Sequence, residues 1–126
     1  MKTLKTLLST LLIPVFSFAQ CPEHVFFSEL HYDNVGADKN EGFELYFSPG
    51  TSPENFTVYL YNGADGEVYK EISLSGNSST QEQSIFYPSS LQNGPDGLAL
   101  VNQDGKLLHF ISYEGSFLAS DGPAQG

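Results

Sequence analysis

The densest set of ligand-type side chains lies between residues 29 and 44. It comprises Glu29, His31, Asp33, Asn34, Asp38, Asn40, Glu41 and Glu44. Hard oxygen donors at this density suit Ca²⁺, which takes about six to eight of them. Asp33, Asp38 and Glu41 are the first-choice ligands, because one loop can bring them together. The run Asp33-Asn34-Val35-Gly36-Ala37-Asp38 lacks the alternating ligands of a twelve-residue EF-hand loop. The plainer reading is a solvated acidic loop, with Glu29 and Glu44 accepting backbone hydrogen bonds at strand ends. A divalent catalytic metal is the third.

Other reactive types are present without a pattern. Glu41 and Glu44 are three apart in an extended segment, so they point to opposite faces, a poor geometry for flanking one bond. His24, His31 and His109 are scattered, each on a predicted strand. Ser28 and Ser112 lack the G-x-S-x-G context of a nucleophile elbow. Cys21 has no cysteine partner, which excludes a disulfide framework and a Cys-based zinc site. No G-x-x-x-x-G-K loop is present to cradle phosphates. No catalytic constellation emerges, and the chain reads as a non-enzyme. Tyr59 and Tyr61 share a strand face opposite Phe56. They offer either an exposed aromatic surface for sugars or proteins, or a face covered within a sandwich. The sequons at Asn55 and Asn77 carry little weight beside a bacterial-type leader.

That leader is read from residues 1–19. Lys2 and Lys5 precede an apolar run of about twelve residues, LLSTLLIPVFSF, too short to span about 30 Å of hydrocarbon. Ser17-Phe18-Ala19 supplies small residues at −3 and −1, so a secretory signal peptide is expected, cleaved after Ala19. Lipidation at Cys21 is disfavoured, because Gln20 stands where a lipobox needs a small residue. The domain is then residues 20–126, secreted or at the cell surface.

The elements that must position these residues are strands. Seven runs are rich in β-branched and aromatic residues: 24–32, 42–47, 56–61, 67–74, 83–87, 98–102 and 106–113. NGADG at 62–66, NGPDG at 93–97 and QDG at 103–105 are turn chemistry. The first and last predict hairpins. Many short strands with frequent turns predict a two-sheet sandwich or a barrel. The chain has 126 residues, five lysines, no arginine and 15 acids, for a formal charge of −10. Loss of the leader leaves Lys39, Lys70 and Lys106 against all the acids, a net of −12. Such a surface repels phosphate backbones, so no direct nucleic-acid binding is expected.

Several motifs in order resemble the bacterial lamin-tail domain. They are Phe27-Ser28-Glu29-Leu30-His31-Tyr32-Asp33-Asn34 with Gly36 and Asp38, then Glu41-Gly42-Phe43-Glu44-Leu45, then Leu60-Tyr61-Asn62-Gly63. The runs Gln92–Val101 and Phe110–Phe117 continue the match, over about residues 24–126. Gly42 departs from it, standing where the family usually starts its second strand with a bulky residue. The resemblance implies an immunoglobulin-like β-sandwich, and a chain ending about one strand early. It also implies an accessory or interaction module of a secreted or surface protein, with an unknown protein or surface partner or a fused or associated hydrolase. Two alternatives follow: an N-terminal piece of a secreted nuclease or phosphatase, and a calcium-dependent adhesion module.

Overall fold

The computed structural model describes residues 24–126, so the signal peptide expected over residues 1–19 and Cys21 lie outside the described residues. All seven expected strands are present. They are β1 (Val25–His31), β2 (Gly42–Phe47), β3 (Phe56–Asn62), β4 (Val68–Ser73), β5 (Gln83–Pro88), β6 (Asp96–Asn102) and β7 (Leu107–Tyr113). They form two antiparallel sheets, ordered β1-β2-β5 and β4-β3-β6-β7. This is a β-sandwich. In immunoglobulin lettering the order corresponds to A-B-E against C′-C-F-G. Both expected hairpins form, β3–β4 and β6–β7.

Period-two alternation builds the core. Phe43, Leu45 and Phe47 of β2 are fully buried, facing Val58 and Leu60 of β3 and Leu98 and Leu100 of β6. Each such side chain contributes about 1.5–3 kcal/mol through removal from water. β1 breaks the alternation. Phe27 and Leu30 both pack on this core although they are three residues apart. A register shift between Phe27 and Glu29 makes this possible, because the extra residue of a bulge resets which face the strand presents.

β6 starts earlier than its sequence suggests. The NGPDG run predicts a turn over 93–97, yet Asp96 and Gly97 both pair with β3 and β7. Gly97 is suited to this crowded position. A Cβ there would come within 3.1 Å of the rings of Phe110 and Phe117.

β6 is buried on both faces. The second face lies under the segment after β7. Phe117, Ala119 and Ala124 pack over Tyr61 and Ala99 as a second apolar cluster. Backbone and side-chain bonds tie this tail down: Ser120 N donates to Gly66 O (2.8 Å) and Val68 N to Asp121 Oδ1 (2.9 Å). Tyr61 is therefore fully buried and Tyr59 half-buried, which decides for the covered reading of that strand face. Among the described residues, no helix is long and apolar enough to cross a membrane.

Candidate functional site

The loop joining β1 to β2 is organised by its polar side chains. His31 Nε2 and Asn34 Oδ1 lie 3.2 Å apart, and Asn34 Nδ2 donates to Lys39 O (2.9 Å). Asn40, with φ +57°, turns the chain into β2, a conformation that Asn tolerates better than most residues. Asp38 and Glu41 reach one cavity of about 480 Å³, and Asp33 does not line it. Glu41 Oε2 already accepts the Leu91 N–H at 3.0 Å. Lys39 and Lys70 line the same cavity, and Lys70 Nζ donates to the buried Ser89 Oγ at 2.9 Å. Two carboxylates and two lysines thus share one cavity. Among the described residues, no three His, Cys, Asp or Glu side chains are grouped to hold a metal ion.

Glu29 and Glu44 sit opposite each other across β1 and β2. Glu44 accepts a hydrogen bond from the Ser28 hydroxyl (2.7 Å), a side chain rather than the backbone donor expected. That bond also occupies Ser28. Ser112 is exposed on β7 opposite Gly97.

The histidines are less scattered than their sequence positions suggest. His24, just before β1, and His109, on β7, line one cavity of about 330 Å³ where the two sheets meet edge to edge. His109 stands opposite Leu100 and therefore shares that core residue's face of the sheet. No local motif marks this pair, because only the packing of β1 near β7 joins them.

Asp96 is the other polar residue that sequence reasoning missed. It is 3% exposed; Oδ1 accepts the Gly63 N–H at 3.0 Å, and Oδ2 finds no donor. Burial pushes its carboxyl above the usual range; the Gly63 N–H pulls partly back, and Asp65 and Glu114 add to the rise. An acid with a raised folded-state value binds more protons folded than unfolded, so stability falls as pH climbs past the ordinary value of 3.8. Asp96→Asn should keep the bond from Gly63 and remove the charge. The variant should gain about 1 kcal/mol at pH 7 and lose this part of the pH slope. Urea melts from pH 3 to pH 8 test it; an unchanged slope would refute the assignment to Asp96.

The outer face of the three-stranded sheet carries aromatic rings among carboxylates. Phe26 and Tyr46 stack with centroids 4.9 Å apart at 24°. Tyr46 donates its hydroxyl to Glu82 Oε2 at 3.0 Å, and this carboxylate holds the phenol above its ordinary range. Phe86 stands opposite Glu44, its ring over Gly42, where a Cβ would lie 2.7 Å from Cζ. The absence of a side chain at Gly42 thus makes room for Phe86. Phe26 and Phe86 remain 38% and 41% exposed.

The class defined to this point is an all-β sandwich with one face sealed by its own tail and the other aromatic and acidic. No family model matches the chain, and no curated protein or solved structure matches it either.

Proposed function

We propose that this chain is a non-catalytic binding module of a secreted or cell-surface protein. The reading rests on the exposed face of the β1-β2-β5 sheet. Phe26, Tyr46 and Phe86 present ring surface there, and Glu29, Glu44 and Glu82 surround them. Two like charges opposite one another on a sheet, as at Glu29 and Glu44, cost stability unless a cation relieves them. Aromatic rings beside carboxylates attract Lys and Arg through both the ring face and the charge. The net charge of the chain works in the same direction. The partner is therefore a protein segment rich in Lys or Arg. The lamin-tail resemblance supports an accessory role for the module.

The test is an NMR titration with a Lys/Arg-rich peptide and with a neutral peptide of the same length. Shifts should centre on residues 26, 46 and 86 with the basic peptide only, and affinity should fall with added salt. Phe26→Ala with Phe86→Ala should weaken binding about tenfold, from roughly 0.5–1 kcal/mol lost per ring. Equal binding of the neutral peptide would remove the reading. Hydrolysis of DNA or phosphate esters by the purified protein with Mg²⁺ would overturn the non-catalytic part of it.

A further inference from the structure

We propose that β5 takes up the basic partner as an added antiparallel strand along its free edge, with Lys or Arg at every second position lying beside Phe86. This docking mode rests on the reading of the outer sheet face as a site for a Lys- or Arg-rich segment, and it fixes the backbone conformation of that segment.

Among the described residues, four strands end a sheet: β1, β4, β5 and β7. Three of them carry a bulge. Register shifts leave Ser28 of β1, Tyr69 of β4 and Leu108 of β7 without a partner in the ladder. Bulges twist an edge away from further pairing. β4 also carries Lys70 and Glu71. β5 keeps an unbroken register with β2 from Gln83 to Pro88 and has no charged residue. It is therefore the edge least protected against pairing with another strand. In immunoglobulin lettering this is the outer side of strand E, where strand D stands in a four-stranded A-B-E-D sheet.

The ladder fixes which backbone groups are free. Ser89 N donates to Glu41 O at 3.0 Å, one pair beyond Gly42 and Pro88. Bonded and non-bonded pairs alternate in an antiparallel ladder. Tyr87, Ile85 and Gln83 therefore bond to β2, and Ser84 and Phe86 direct N–H and C=O away from it. Pro88 falls in the second set, where a missing N–H costs the ladder nothing. Ser84 and Phe86 are exposed. The β4–β5 loop packs instead on the core-side chains: a Cβ at Gly76 would lie 3.0 Å from Ile85 Cδ1, and Ser75 O accepts the Tyr87 hydroxyl at 3.1 Å.

Charge and side-chain placement select the occupant. A residue of the added strand opposite Phe86 shares the outer face with Phe86 and, one strand further, with Glu44. A Lys or Arg there faces the ring and the carboxylate together. Its neighbours in sequence turn to the side on which Ile85 packs against the core. The partner thus alternates basic and apolar residues. A second copy of the chain would instead bring its own excess of acids to the edge.

The experiment titrates the full chain with the peptide Lys-Val-Lys-Val-Lys-Val-Lys, blocked at both ends, and with forms N-methylated on either the lysines or the valines. The residue opposite Phe86 turns its N–H towards β5. Methylation of the lysines should therefore weaken binding about tenfold, and methylation of the valines should leave it unchanged. Bound peptide should slow hydrogen exchange at the Ser84 and Phe86 amides by about tenfold. Ser84→Pro removes one outward N–H and should weaken binding about tenfold, with circular dichroism reporting its folding. The proposal is overturned if the two methylated forms bind alike, if the valine form is the weaker, or if exchange at Ser84 and Phe86 ignores bound peptide. A dimer of the free chain that Ser84→Pro dissolves would overturn it in favour of a second copy. Binding that ignores methylation but still needs Phe26 and Phe86 removes only the added strand; no binding of any form removes the basic-partner reading with it.

Discussion

Replacing Tyr61 with alanine is expected to destabilise the protein by about 4 kcal/mol, in the range for large aromatic truncation in a core. The side chain is fully buried although it points away from the main core. It meets Phe110 edge-on with centroids 5.6 Å apart and lies 6.4 Å from Phe117. Its hydroxyl donates to Asp121 O (3.2 Å) and accepts from Ala124 N (3.1 Å), so one residue clamps the tail at two points. Truncation removes the ring contacts and both bonds together. Tyr61→Phe separates the two contributions. It keeps the ring and should cost about 1–2 kcal/mol, from two lost bonds and a tail amide left without its acceptor. Urea denaturation gives the two stabilities, and limited proteolysis after residue 114 reports tail release. An alanine variant within 1 kcal/mol of the parent would mean that the tail is no part of the cooperative unit.

Gly63→Ala is expected to cost about 3 kcal/mol, at the upper end for overpacking. A methyl group there collides with the Pro95 backbone carbonyl and approaches Phe117 Cδ1 to 2.9 Å. A backbone cannot swing aside as a flexible side chain can, so the β3–β4 turn and the segment leading into β6 must separate. The separation also strains the Gly63 N–H bond to Asp96, which would leave a buried carboxylate with neither oxygen satisfied. Gly105→Ala is the matched control. It has φ +77° but nothing within 4 Å of its would-be Cβ. It should lose only the conformational cost of a left-handed residue, about 1 kcal/mol. Gly63 itself is not left-handed, so a loss no larger than that at Gly105 would refute the crowding argument. Chemical denaturation at one pH compares them.

Much of the architecture was legible in the residues. Alternation in Phe56–Leu60 and in GFELYF assigns strands, because each buried face needs every second residue apolar. NGADG and QDG mark the hairpins because Asn, Asp and Gly enter turn conformations cheaply. The exceptions have physical causes. Asp96-Gly97 carries turn chemistry but is recruited into β6, where pairing to β3 and β7 outweighs local preference. The acidic residues 29–44 suggested ligands from one loop. Glu41 is instead engaged by the Leu91 N–H, and Lys70 from the opposite sheet enters the same cavity. Spacing along one segment carries no information about a cation delivered by another.

The sequence by itself determined an acidic, all-β chain with its hairpins and no patterned catalytic motif, because composition, alternation and turn preference act over neighbouring residues. Only the tertiary structure decided that Tyr61 is sealed by the tail, that Asp96 is buried with an unpaired oxygen, and that His24 and His109 line one cavity. Each of these depends on segments distant in the chain sharing one volume, and such proximity is set by how the two sheets close on their core.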